Sequence, residues 1–230
     1  MLILGIETAT ERVSVAIGGH EGVIGSFEIT RGRRHAETLV PAIEFTCRQA
    51  GIELGEISVV AVDVGPGLFT GMRVGLASGK AISQALRIPM IGISSLDLLA
   101  FPCRLTDRIV VPIIDARKGE VFSAMYRQVP GGIQQIVEPH VGSIDDVIAE
   151  LMARNQDALC VGDGARRYSD DILDGYHCEI GGDAYPSAGP LVQLAHARAL
   201  REDWVQARDI EPIYLRAPDA VINWKTRAAR

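Results

Sequence analysis

The stretch GPGLFTGMRVGLASGK (65–80) holds five glycines in sixteen positions, the composition of a turn that cradles phosphate on backbone amides. A nucleoside-triphosphate loop needs GxxxxGK followed by Ser or Thr, whose hydroxyl goes to magnesium. Here Gly75 to Gly79-Lys80 is one residue short, and Ala81 follows. A dinucleotide fingerprint needs GxGxxG directly after a strand, but Gly65, Gly67 and Gly71 put the third glycine one place late. The turn keeps amides around Gly65 and Gly67, with Thr70, that can meet an anion. Asp63 ends the apolar run before it, and reads either as a catalytic carboxylate or as an acceptor for the amides of the turn.

The other chemistry is sparse. Asp115, Arg117 and Glu120 make the most polar cluster of the second half, suited to a cleft or to an internal Arg–carboxylate brace. The five histidines (His20, His35, His140, His177, His196) form no HxxxH pair, so no helical metal site is expected. His35, with Glu37 beside the basic run Arg31, Arg33 and Arg34, reads as a surface cap before a functional group. No serine sits in GxSxG, the nearest being Ser78. The cysteines (Cys47, Cys103, Cys160, Cys178) lack a CxxC pair and read as reduced, mostly buried thiols of a cytoplasmic protein.

Gly71, Gly75, Gly79 and Ser83 recur every four residues through a helical stretch, where each glycine costs up to about 1 kcal/mol relative to alanine. A stripe this smooth admits another backbone at close range. It suits packing on the chain's own sheet, or contact with a helix of another polypeptide.

The elements that must position these residues follow from patterning. In 230 residues, 47% hydrophobic and 23% charged, there is material for one large or two small cores. The net charge of −6 argues against autonomous, sequence-indifferent nucleic-acid binding, and the arginines at 31–34, like Lys225, Arg227 and Arg230, read as solvated charge. The opening residues carry no charged-then-apolar leader and no run approaches a membrane span, so a cytoplasmic location is expected. Residues 2–8 read as a buried strand, and 12–18 and 22–30 complete an antiparallel meander. A helix fits 35–50, with Leu39, Ile43 and Cys47 on one face and a kink or late start at Pro41. A strand at 57–64, the glycine helix to about 86, a strand at 89–94 and a short helix at 95–101 follow. The order then repeats: strands at 108–116, 119–126 and 132–139, a helix at 143–154 capped by Ser143, and a strand at 158–164.

The two halves superpose in sequence. Glu7 precedes Val13 by six residues and Asp115 precedes Val121 by six, each carboxylate ending a buried strand. The repeat predicts a duplicated α/β unit of about a hundred residues, with a ligand cleft where the first hairpins of the two units face each other.

ILGIETATERVSVAI, RRHAETLVPAI, VGPGLFTGMRVGLASGKAI, IPMIGISSLDLLA, IIDARKGEVFSAMY and EPIYLR occur in this order between residues 3 and 216. Together they resemble the TsaB (YeaZ) family of the sugar kinase–Hsp70–actin superfamily. The resemblance implies a duplicated RNase-H-like fold, divided as residues 1–103 and 104–216 with a tail at 217–230. It also implies a non-catalytic, cytoplasmic subunit in the transfer of threonylcarbamoyl to adenosine 37 of tRNAs reading ANN codons. Its partners would be a catalytic TsaD-like paralogue and a TsaE-like ATPase, with tRNA met through the complex. The chain would need no cofactor or metal, bind nucleotide weakly and touch no membrane.

By the same resemblance, the helices at about 35–50 and 71–87 form the partner face, placing Leu39, Ile43, Gly71, Gly75, Gly79 and Ser83 in an intermolecular contact. Two copies of the chain alone would pair through that face, and Gly75→Leu would remove partner binding while leaving the fold intact. Glu7, Thr8, Asp63, Gly65, Gly67, Thr70, Asp115, Arg117 and Glu120 are the expected ligand or cleft positions. Glu7 stands where the family usually has Asp, and Asp115-Ala116-Arg117 replaces the Asp-x-Gly-Thr by which superfamily kinases hold ATP. A small-molecule kinase and a metallopeptidase are the alternative readings; the histidine spacing disfavours the second.

Overall fold

Runs such as ILGIE and VVAVD, apolar at nearly every position, suit strands covered on both faces, and the chain places them in the middle of a sheet. The computed structural model describes residues 1–216 apart from Arg33 and Asp183. The expected tail, with Lys225, Arg227 and Arg230, lies outside the described residues, as does Arg33.

The first unit comprises strands β1 (Ile3–Glu7), β2 (Arg12–Gly19) and β3 (Gly22–Thr30), helix α1 (His35–Ala50), strand β4 (Val59–Asp63), helix α2 (Phe69–Leu86) and strand β5 (Met90–Ile93). Helix α3 (Ser95–Ala100) follows. The second unit comprises β6 (Ile109–Arg117), β7 (Glu120–Val129) and β8 (Gly132–Ser143), helix α4 (Ile144–Arg154), strand β9 (Ala158–Val161), helices α5 (Asp163–Arg167) and α6 (Ser169–Gly175), and strand β10 (Glu179–Ile180). Helix α7 (Ala188–Ala199) is the last helix or strand among the described residues.

The sheets are ordered β3-β2-β1-β4-β5 and β8-β7-β6-β9-β10, the same order twice. In each, the first three strands pair antiparallel and the fourth and fifth join in parallel. This is the duplication expected from the repeat, in the RNase-H-like arrangement that the resemblance implies.

The alternation of each strand decides what covers it. Leu4, Ile6, Val60 and Val62 face α1 and α2, while Ile3, Val59 and Ala61 face α7. In the second sheet Ile109, Val111 and Ile113 pack toward α4, α5 and α6, and Val110 and Ile114 toward α3. The units thus exchange helices: α3 leaves the first to cover the second sheet, and α7 returns to cover the first. A division at 103/104 therefore needs correction, because Leu191, Val192, Ala195, Ala207 and Ile210 belong to the core of the first lobe.

Helix α1 starts at His35 and continues through Pro41, which sits on its exposed face, so its start is not late. Helix α2 begins at Phe69, two residues before the expected start. Ser143 caps α4 as expected, in a reciprocal capping box with Asp146.

Candidate functional site

The carboxylates Glu7 and Asp63 end neighbouring parallel strands at the same level, because Ile6 pairs with Val62 one residue earlier. Glu7 is fully buried; its Oε1 accepts from the Ala9 amide at 2.8 Å and its Oε2 has no partner. Burial, then the charge of Asp63, push Glu7 well above the ordinary carboxylate range. Asp63 Oδ1 accepts from the Gly65 amide and from Ser95 Oγ, both at 2.7 Å, while Oδ2 is unpartnered. Burial raises Asp63 to about 7 against the opposing pull of those two hydrogen bonds. Of its two sequence readings, the geometry displays the anchoring of the turn. At Gly65, φ is +95° and a side chain would run into Met72, so the turn requires glycine.

The β1–β2 turn is keyed to both helices beneath it. Thr8 Oγ1 donates to the carbonyl of Gly71 at 2.8 Å, and His35 Nε2 lies 2.7 Å from the carbonyl of Thr10. His35 is therefore buried, not a surface cap. A Cβ at Gly71 would land on the Thr8 carbonyl oxygen, one at Gly75 on Thr8 Oγ1, and one at Gly79 2.6 Å from Val62 Cγ1. The stripe faces the chain's own sheet. Leu39, Ile43, Gly71, Gly75, Gly79 and Ser83 are all buried within the chain, and this corrects their expected place in an intermolecular contact. The glycines do admit a close approach, and what approaches is β1, its turn and β4.

The second lobe repeats the carboxylate pair at a more open level. Asp115, at the end of β6, donates its amide to Asp163 Oδ1 at 3.1 Å and accepts from the Arg117 amide at 3.0 Å. Its Oδ2 takes Arg167 Nη1 at 3.0 Å and Arg117 Nη1 at 3.5 Å. Burial lifts Asp163 to about 6, with the charge of Asp115 adding to it. Asp163 and Ser95 escaped the sequence reading. The available signals were VGDG, closing a buried strand as Asp63 does, and the paired serines after IPMIGI.

Between the lobes, Arg117 Nη2 reaches Glu11 Oε1 at 2.7 Å and joins the two first hairpins across the gap. Arg117 holds a left-handed φ of 67°, followed by Lys118 at 58° and Gly119 at 81°. Arg216 bonds the Ala116 carbonyl at 3.0 Å and Glu120 Oε2 at 3.2 Å. Asp115 and Arg117 thus form a brace that also lines the cleft, whereas Glu120 pairs with Arg216 and does not line it.

Beside the brace lies a cleft of about 430 Å³, walled by Gly67, Leu68, Phe69 and Met72 from one side and Ala116, Arg117 and Phe122 from the other, with residues 213–216 closing it. At its rim Arg73 lies 3.7 Å over the Phe69 ring, and Phe69 packs 5.4 Å from Tyr214. Of the expected ligand positions, Gly67, Asp115 and Arg117 line this cleft and Thr70 is exposed near it. Glu7, Thr8, Asp63 and Gly65 are interior and do not line it, because β1 and β4 end beneath the turns that follow them. Among the described residues, no three His, Cys, Asp or Glu side chains are grouped to hold a metal ion, and no helix is long and apolar enough to cross a membrane.

Two five-stranded sheets of identical order, exchanged helices and carboxylates at corresponding strand ends define a duplicated RNase-H-like protein. A family model described as "TsaD: tRNA N6-adenosine threonylcarbamoyltransferase" matches residues 24–169. The tRNA threonylcarbamoyladenosine biosynthesis protein TsaB of Escherichia coli is 30% identical, over 94% of this chain and 95% of its own; that of Bacillus subtilis is 27% identical over 97% and 98%. YeaZ from Pseudomonas aeruginosa superposes with a TM-score of 0.78 at 26% identity, covering 93% of this chain and 99% of that one. A second solved structure, described as similar to peptidase YEAZ from the same organism, gives 0.83 at 28% identity over 94% and 99%. The chain belongs to the TsaB family, within the wider group that the TsaD model describes.

Proposed function

We propose that this chain takes part in tRNA threonylcarbamoyladenosine biosynthesis as a non-catalytic subunit that scaffolds a TsaD-like transferase and a TsaE-like ATPase. The observation that carries the reading is similarity to TsaB proteins along nearly the whole length of both chains. The site supports it: the strand-end carboxylates are turned inward or tied to backbone amides and arginines, and an ion pair spans the gap between the first hairpins.

With the glycine stripe facing inward, the surface offered to the transferase is the outer side of α1 and α2. On α1, Val40 is 55% and Phe45 42% exposed. On α2, Ala77, Ala81 and Ala85 are exposed, a strip of small side chains at four-residue spacing along which a partner helix can lie close.

The test is reconstitution. The chain is combined with the TsaD-like and TsaE-like proteins of the same organism, the enzyme that makes threonylcarbamoyl-adenylate, ATP, threonine, bicarbonate and tRNA, and modified adenosine is measured by mass spectrometry. Modification is expected to depend on the chain. Equal modification in its absence, or transfer by the chain alone, overturns the reading.

A further inference from the structure

Away from the cleft, two sulfurs face each other in the second lobe. Cys160 lies on β9 and Cys178 immediately precedes β10, in strands that run parallel with Ile180 beside Cys160. Both side chains join the core under α4 and α6, with their Sγ atoms 3.9 Å apart, and neither is in a disulfide. Cys160 is fully buried and Cys178 is partly open to solvent. Strand β10 is a two-residue strand at the edge of its sheet, so it can give as the sulfurs close to the roughly 2 Å of a covalent bond.

We propose that Cys178 and Cys160 are a peroxide-responsive thiol pair that closes to a disulfide within the folded protein. The sulfur–sulfur hydrogen bond holds Cys178 below the ordinary thiol range; the same bond and burial push Cys160 up. Cys178 is therefore the attacking thiolate and Cys160 the resolving thiol. The Cys178 thiolate attacks one oxygen of hydrogen peroxide, the O–O bond breaks, and the departing hydroxide takes a proton to leave as water. Cys178 is now a sulfenic acid. Cys160 loses its proton and attacks that sulfur, the S–O bond breaks, and a second water leaves. Two thiols and one peroxide become one disulfide and two waters. The bond would fasten β10, the last strand of the second sheet, ahead of the return to α7 in the first lobe.

The test uses the full-length chain, reduced, freed of reductant and titrated with hydrogen peroxide while circular dichroism reports that it stays folded. Thiols counted after denaturation are expected to fall from four to two, with peptide mapping joining Cys160 to Cys178 and dithiothreitol restoring all four. Cys160→Ser should accumulate a sulfenic acid at Cys178 that dimedone traps. Cys178→Ser, at the more open position, should keep its three remaining thiols through the same exposure, and this holds the test if Cys160→Ser does not fold. Oxidation that begins at Cys103, no Cys160–Cys178 link in the folded chain, or a link formed no faster than in concentrated urea overturns the proposal.

Discussion

Asp63 illustrates how a single residue's surroundings set its behaviour. Its charge is desolvated by the strands on either side, and only one of its oxygens is hydrogen-bonded. Its folded-state value of about 7 lies above the unfolded value of 3.8, so the folded chain holds a proton that the unfolded chain has already released. Its contribution is fully present below about pH 4 and is lost as pH rises through about 7. Glu7, raised for the same reason, acts in the same direction. Urea unfolding at a series of pH values should therefore show stability from this pair declining between pH 4 and 8. Asp63→Asn, which keeps the acceptor for Gly65 and removes the charge, should flatten that slope. An unchanged slope would place the proton elsewhere.

At the scale of elements, α2 has two faces with opposite tolerances. Gly75 meets Thr8 with no room for a Cβ, so Gly75→Ala should cost about 1–3 kcal/mol by overpacking, and Gly75→Leu should prevent folding of the first lobe. On the far side of the helix Ala77 and Ala81 are exposed. Ala77→Arg with Ala81→Arg should leave stability within about 0.5 kcal/mol and abolish retention of the TsaD-like protein in size-exclusion chromatography. Wild-type retention by the double variant would move the proposed interface off α2. Helix α7 depends on a distant cap: Ser187 makes no side-chain cap bond, and the Ala188 amide instead donates to Ser14 Oγ of β2 at 2.8 Å. Ser14→Ala should cost about 1–2 kcal/mol in chemical denaturation.

For the whole molecule, the exchange of α3 and α7 makes each lobe incomplete without residues from the other half of the sequence. Residues 1–103 alone would leave the face bearing Ile3, Val59, Ala61 and Ile91 without Leu191, Val192 and Ala195. Each such side chain is worth about 1.5–3 kcal/mol when buried if it is a large aliphatic, against the few kcal/mol by which a domain is stable. The fragment should show no cooperative thermal transition by circular dichroism, while the full chain does. A sharp transition in the fragment would mean that the first sheet needs no cover from α7.

Local physics made much of this legible in the chain itself. Continuous apolar runs mark strands covered on both faces, alternation marks the hairpins, and Ser143 with Asp146 marks the start of α4. The spacing of Glu7 to Val13 and Asp115 to Val121 marks the duplication, because a repeated unit must bury the same pattern twice. What needed the tertiary structure was direction and neighbour. A stripe of glycines demands close approach but carries no sign of what approaches, and only the placement of Thr8 and Val62 turns it inward. Asp63 at a strand end reads alike whether exposed or buried, until Gly65, Ser95 and Glu7 are seen around it. The return of α7 to the first lobe rests on contacts across more than a hundred residues, for which a local periodicity holds no record. Sequence patterns encode how much surface each element must bury; the packed fold alone decides against which partner it is buried.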